Sequence, residues 1–341
     1  MQVPRIGIGT IAWTADTPED EARLGEVASS ALSNGLTFFD TAERYGAKGS
    51  DLIPASLAAM GLPVDSSYLG GDTESRLGQK WVGDKGVVAT KFAPTPWRND
   101  AQSVIDACKG SCERLGVESV DLLQIHMPDI IQPFKAFGVT SANEEAHWDG
   151  LAECYHSGIA KNVGVSNYGP SLLKRAHAHL AKRGVPLASN QINLSLLFRK
   201  QGSLATLERC RELGVRVLAY FPLANGLLAG RYTPEALPPF PKSLTMKKYV
   251  AGDAEHPDGV TPLLAALQRV AARRGKTVPQ VAINWCVALG AIPIPGARNL
   301  KMARENAGAM GWRLTAEEVA ELEAASDAVG FEFSSGGFKL E

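Results

Sequence analysis

The chain has 341 residues, with 35 Lys and Arg against 36 Asp and Glu and a formal net charge of -1. That balance, without a long run of either sign, argues against a nucleic-acid or membrane-surface partner and points to a small ligand. No window reaches the roughly 18–20 uninterrupted apolar residues that span a bilayer, and Met1 is followed almost at once by strand-like VPRIGIGT rather than a signal peptide, so a soluble chain is expected. Five cysteines (Cys108, Cys112, Cys154, Cys210, Cys286) form an odd, sparse set, as in a reducing compartment such as the cytoplasm. Cys108 and Cys112 lie four apart on one helical face. With no His or Cys nearby to complete a site, core packing is expected and metal is not.

IGIGT near the N-terminus is a short apolar first strand. A helix follows, with Thr17 as cap, Pro18 in the first turn and Leu24, Val27, Ala28, Ala31 and Leu32 on one face, closed by Asn34 and Gly35. TFFD is the second strand. An insertion at 47–72, rich in Gly, Ser and Pro, precedes helical sequence from about Thr73 and reads as a cover over the rim. VVATK is the third strand and VDLLQIH the fourth, separated by a helix that starts near Asn99 or Asp100 and stops at Gly116. A second rim loop runs from Met127 to about Asn143. NVGVSN, ASNQIN and VRVLAY are strands five to seven, Pro170 opens the helix after the fifth, and a third rim loop occupies 221–262. AIPIP is the eighth strand, followed by helical stretches Leu300–Ala309 and Thr315–Ala325.

Strands alternating with helices must be parallel, because each crossover returns the chain to the same end of the sheet. Eight of them predict a single-domain α/β fold, the (β/α)8 TIM barrel, over residues 1–341, with long loops at the C-terminal rim. The competing doubly wound sheet requires a GxGxxG turn after its first strand, and GIGT lacks the third glycine.

In such a barrel, chemistry sits where strands hand over to their loops. Asp40, Lys91 and His126 each end a strand, and Tyr45 follows Asp40 by five residues. Taken singly, an Asp there is usually a helix cap, a Lys a solvated side chain and a His a structural residue. Together they describe a proton relay. A lysine ammonium about 4 Å from a phenol, at an effective dielectric near 20, favours the phenolate by roughly 4 kcal/mol before desolvation, or about three pKa units. Tyr45 is therefore expected to titrate below its ordinary range, with Asp40 orienting Lys91 and His126 donating a hydrogen bond to a substrate oxygen.

These segments resemble the aldo-keto reductases. The resemblance rests on GIGT (7–10), FFDTAERYG (38–46), TESRLG (73–78), VVATKF (87–92), VDLLQIHMPD (120–129), VGVSNYG (163–169), NQINLSLL (190–197), AYFPLANGLLAGRY (219–232) and IPIPGARN (292–299), in family order over nearly the whole chain. It is similar in style to bacterial and plastid-type members. It implies that Asp40, Tyr45, Lys91 and His126 are the catalytic tetrad, with Tyr45 as general acid in the NADPH-dependent reduction of an aldehyde or ketone. It further implies that Thr10, Ser166, Asn167 and Gln191 hold the cofactor, the last three at its carboxamide. Tyr220 would stack on the nicotinamide, and Pro222, Leu223, Gly226 and Leu228 would cross the pyrophosphate within the cofactor-covering loop 221–262. Arg298 and Asn299 would receive the 2′-phosphate that distinguishes NADPH from NADH, Glu305 and Asn306 the adenine end, and Trp13, Tyr45 and His126 would line the substrate pocket. No metal is implied, and a plastid location follows if a transit peptide has been removed.

The chain departs from the family pattern at Thr10-Ile11-Ala12-Trp13, where only the second of two tryptophans remains, and at Met302, where a polar residue is usual. An alternative of another class is a nucleotide-sensing regulatory subunit resembling the potassium-channel β subunits. A phosphate-binding barrel lyase or isomerase lacks Gly-rich loops near the last two strands.

Overall fold

The computed structural model describes residues 3–46, 72–95, 98–128, 143–233, 235–237, 242–252, 255–330 and 340. The insertion at 47–72, save its last residue, and most of the rim loop between Met127 and Asn143 lie outside the described residues. Eight strands follow one another in chain order around one sheet: β1 (Ile8–Gly9), β2 (Phe38–Asp40), β3 (Val87–Phe92), β4 (Leu122–Ile125), β5 (Val163–Ser166), β6 (Leu187–Asn193), β7 (Arg216–Tyr220) and β8 (Ile292–Pro293). Neighbours from β1 to β8 pair in parallel. The ring closes because the N–H groups of Gly7 and Gly9 donate to the carbonyls of Pro293 and Pro295, at 2.9 and 3.1 Å. The expected (β/α)8 barrel is the observed one.

The helices start and stop for local reasons. Thr17 accepts the Asp20 N–H, Pro18 occupies the first turn, and the helix Pro18–Ser33 buries Leu24, Val27, Ala28 and Ala31. Asp100 caps Ala101–Leu115, and Gly116 ends it with a φ of 67°, a conformation that costs glycine little. Cys108 and Cys112, on the buried face of this helix, direct their sulfurs at the Ile159 carbonyl, at 3.7 and 3.8 Å. One expectation is corrected. The stretch 221–262 is not all loop, since it contains a 3-10 segment at Ala224–Ala229 and an α-helix at Lys242–Ala251. The sequence KSLTMKKYVA is free of Gly and Pro and dominated by good helix formers, which suffices for the second.

Alternation along the strands sorts side chains into two cores. Residues pointing outward, such as Phe39, Phe92, Leu123, Ile125, Val163, Val165 and Val217, pack under the helices in one continuous cluster. Those pointing inward, Phe38, Ala89, Leu122, Leu218, Ile292 and Ile294, fill the lower barrel. Two residues further along, the inward parity falls on Asp40, Lys91 and Tyr220, and four residues beyond Leu122 it falls on His126. The strand period thus delivers polar groups to the mouth once the apolar layer is complete.

β6 departs from this period. Its register against β5 moves from Val163 opposite Leu187 to Gly164 opposite Ser189, an irregularity that inserts Ala188 as an extra residue. Leu187 belongs to the outer core and Ala188 packs against the inner one. Strict alternation from there would send Gln191 outward. The bulge flips the parity, and Gln191 faces the barrel mouth.

Candidate active site

Lys91 sits at the centre of the mouth, fully buried. Its ammonium has three protons and three acceptors: Asp40 Oδ2 at 2.7 Å, the Thr41 carbonyl at 2.7 Å and the Tyr45 hydroxyl oxygen at 3.3 Å. Asp40, also buried, accepts from Gln191 Nε2 through its other oxygen at 2.7 Å. A buried ion pair is tolerable only when its remaining donors and acceptors are met, and this one is. Thr10 lies beneath. Its N–H and hydroxyl both donate to the Asp40 carbonyl, at 3.0 and 2.9 Å, so the hydroxyl is spent on holding Asp40 in place.

The Tyr45 ring meets His126 edge to face, with centroids 5.8 Å apart, and the Lys91 nitrogen lies 4.8 Å from the phenol centroid. The charge of Lys91 taken alone would bring the phenol below its ordinary range, and the structure reverses that sign. Burial pushes the Tyr45 pKa above its ordinary 10.0, the attraction of Lys91 opposes this without overcoming it, and the Asp40 carboxylate adds to the rise. Burial disfavours the Lys91 ammonium too, but Asp40 and Tyr45 outweigh it and hold the amine above its usual value. His126 is lowered to about 3 by burial and by the nearby charges of Lys91 and Arg44, so its imidazole is neutral at working pH. Its Nδ1 is buried without a hydrogen-bond partner among the described residues.

A second chain of contacts runs from the tetrad across β5 to β7. Ser166 Oγ donates to the Gln191 carbonyl at 2.9 Å, and Asn167 Nδ2 donates to the His126 carbonyl and to Ser166 Oγ, both at 3.0 Å. Tyr220 donates its hydroxyl proton to Asn167 Oδ1 at 2.8 Å. Burial, with a smaller contribution from Tyr45, pushes the Tyr220 phenol up, so it remains a donor. Non-glycine residues with positive φ are confined to this rim among the described residues: Asn167 (63°), Phe221 (52°), Ala224 (45°) and Asn225 (56°). Gly226 follows at 100°. Asparagine accepts the left-handed region at modest cost, but Phe and Ala there store backbone strain. Pro222, Gly226 and Leu228 are buried in this turn and Leu223 is partly so.

The remaining candidates gather around the end of β8, apart from the tetrad. Arg298 and Asn299 are exposed, and Asn299 Oδ1 caps the helix Leu300–Ala307 by accepting the Met302 N–H at 2.9 Å. Asn306 is buried and donates to the Gly296 carbonyl at 3.4 Å, while Glu305 accepts the Thr277 hydroxyl. Trp13, expected in the substrate pocket, is instead a core residue. It is fully buried, donates its indole N–H to the Ala297 carbonyl at 2.6 Å, and packs edge to face on Phe39 and Trp81. An indole is large enough to join the segment after β1 to Phe39 on β2, to Trp81 and to Ala297 beyond β8, and that burial claims it.

One further pair at the rim emerges from the structure. Glu43 and Arg98, both in rim loops, form a two-pronged ion pair at 2.7 and 2.9 Å. The available signal was an acid two residues before the tyrosine, on a segment otherwise committed to the mouth.

The chain belongs to the aldo/keto reductase family, whose model matches residues 5–327. Among curated relatives, the chloroplastic pyridoxal reductase of Arabidopsis thaliana is 37% identical over 340 residues, covering 96% of this chain and 84% of its own. The aldo-keto reductase str7 of Strobilurus tenacellus is 34% identical over 308 residues, covering 85% and 86%. Among solved structures, the Bombyx mori aldo-keto reductase in complex with NADP superposes with a TM-score of 0.62 at 21% identity, covering 97% of this chain and 94% of that one. An aldo/keto reductase from Klebsiella pneumoniae in complex with NADP and acetate gives 0.63 at 22%, covering 99% and 95%. At those identities the two structures speak for the shared barrel.

Proposed function

We propose that this family member uses NADPH to reduce an aldehyde or ketone to an alcohol, with Tyr45 as the acid that protonates the carbonyl oxygen. The observation that carries the reading is the Lys91 ammonium, buried at the barrel mouth and hydrogen-bonded to both Asp40 and the Tyr45 hydroxyl. A charge is costly to bury for structure alone. Here it faces the phenol that must give up a proton. NADPH supplies the hydride when bound. As the phenol gives its proton to the oxygen of the carbonyl being reduced, Lys91 stabilises the developing phenolate and Asp40 keeps the ammonium aimed. Neutral His126 donates one hydrogen bond to the substrate oxygen. With Nδ1 buried and unpartnered among the described residues, the tautomer that avoids a buried orphan N–H puts the proton on Nε2.

The residues present fit a dinucleotide. Tyr220, partly exposed and anchored through Asn167, offers a flat ring beside the tetrad. Ser166, Asn167 and Gln191 border that ring as carboxamide contacts. The strained turn Phe221–Gly226 is the kind of backbone that ligand clamps retain. Arg298, exposed before the helix Leu300–Ala307, suits a phosphate and favours NADPH over NADH. NADP in the Bombyx mori and Klebsiella pneumoniae complexes and the NADPH complex of the aldo-keto reductase AKR2E5 support the same choice. The plant relative makes pyridoxal the first substrate to try and makes a plastid location an alternative to the cytoplasm.

The test follows the absorbance of reduced nicotinamide with NADPH, then NADH, against aldehydes, ketones and pyridoxal. Consumption with NADPH and at least one carbonyl is expected. A protein that binds NADPH tightly yet turns over none of them refutes the reading and favours the nucleotide-sensing alternative.

A further inference from the structure

We propose that the Glu43–Arg98 ion pair is a positioning device that sets the distance between Tyr45 and Lys91. The inference rests on the proposed role of Tyr45. After β2 the chain runs beside the end of β3: the Thr41 N–H donates to the Ala89 carbonyl at 2.8 Å and the Glu43 N–H to that of Lys91 at 3.4 Å. Backbone pairing then ends, and the Glu43 side chain takes over. Its Oε1 accepts the Ala93 N–H at 2.7 Å and Arg98 Nη1 at 2.7 Å, and its Oε2 accepts Arg98 Nη2 at 2.9 Å. Arg98 also donates to the Ala93 carbonyl at 3.1 Å, so both polar groups of that peptide position are held.

The arginine is itself fixed. Its guanidinium lies 4.3 Å from the Phe92 ring centroid, and its carbonyl is 2.8 Å from His147 Nε2. Glu43 precedes Tyr45 by two residues and Ala93 follows Lys91 by two. The clamp therefore ties the loop that carries Tyr45 to the residues that leave β3 just beyond Lys91, each within two residues of the group it must aim. The side chains are largely shielded, with exposures of 13% for Arg98 and 7% for Glu43, so solvent screening weakens the pair little. A fork-to-fork pair fixes orientation as well as distance, which a single hydrogen bond does not. The gap it governs is the 3.3 Å contact between the Lys91 nitrogen and the Tyr45 oxygen. A misplacement of about 1 Å in a reacting group can cost about 100-fold in rate.

The test compares Arg98→Met and Arg98→Lys with the unaltered protein and with Tyr45→Phe, by kcat, NADPH dissociation constant and the pH dependence of kcat. Arg98→Met should lower kcat about 10- to 100-fold with NADPH affinity unchanged. Its alkaline limb should move to higher pH, because a phenol further from Lys91 holds its proton more tightly. Arg98→Lys, which keeps the charge but not the fork, should fall between. Should Arg98→Met fail to fold, Arg98→Lys and Glu43→Gln carry the same criteria. Folded variants with unaltered kcat and an unmoved limb, differing only in melting temperature, would overturn the proposal. If Tyr45→Phe keeps its turnover, it is the assigned acid that fails; if that variant is dead while Arg98→Met is unimpaired, the clamp alone fails.

Discussion

The lower and upper halves of the barrel interior are built by the same strands and obey opposite rules. Below, Phe38, Ala89, Leu122, Leu218, Ile292 and Ile294 fill the space as any core does. Two residues above, Asp40, Lys91 and Tyr220 occupy the same inward parity, joined by His126 and by Gln191 through the β6 bulge. The lower layer is stabilised by area removed from water and by close packing, and it tolerates apolar replacements of similar volume. The upper layer gains nothing from burial and depends on every donor finding its acceptor. Stability and chemistry are thus separated along the strand axis by one side-chain repeat.

Substitutions in the two layers sharpen that contrast. Lys91→Met should have the largest effect, because it strands the Asp40 carboxylate in the interior: about 3–5 kcal/mol of stability, seen in denaturant unfolding, together with loss of turnover. Leu122→Ala, in the lower layer, should cost about 2–5 kcal/mol and yet leave kcat per folded molecule unchanged, which active-site titration would check. Gln191→Leu removes one donor to Asp40 and should cost about 1–3 kcal/mol in thermal unfolding, with reduced turnover. Equal kinetic damage from Leu122→Ala and Gln191→Leu would break the separation.

The smallest effect expected is that of pH. The acid role proposed for Tyr45 requires a protonated phenol, and burial holds the Tyr45 pKa above its ordinary 10.0, so kcat for reduction should hold through neutral pH and decline only as pH passes that value. On the acid side His126 stays neutral down to about 3, so no loss should appear near its ordinary 6.5. An alkaline limb near neutrality, measured with a fast-reacting aldehyde, would show that burial does not govern the phenol.

What could be read in the sequence follows the same division. Strand ends at Asp40, Lys91 and His126 were legible because the apolar run stops there, and caps at Thr17, Asp100 and Gly116 because their chemistry is local. The β6 bulge was not: ASNQIN carries no mark of an extra residue, and only pairing with β5 turns Gln191 inward. Nor was the sign of the Tyr45 shift, since the effect of Lys91 could be estimated from charge and distance while desolvation depends on everything packed around the ring. Trp13 illustrates the same limit, because an indole near a mouth and an indole beneath it look alike in sequence. Glu43 and Arg98 are 55 residues apart, and nothing short of the fold brings them together.

The most direct test is Tyr45→Phe, which keeps the ring against His126 and removes only the oxygen that Lys91 holds. Turnover of a carbonyl substrate with NADPH should fall about 10²- to 10⁴-fold while NADPH affinity and melting temperature stay close to those of the unaltered protein. Turnover equal to that of the unaltered protein would contradict the account, since some group other than this phenol would then be protonating the substrate.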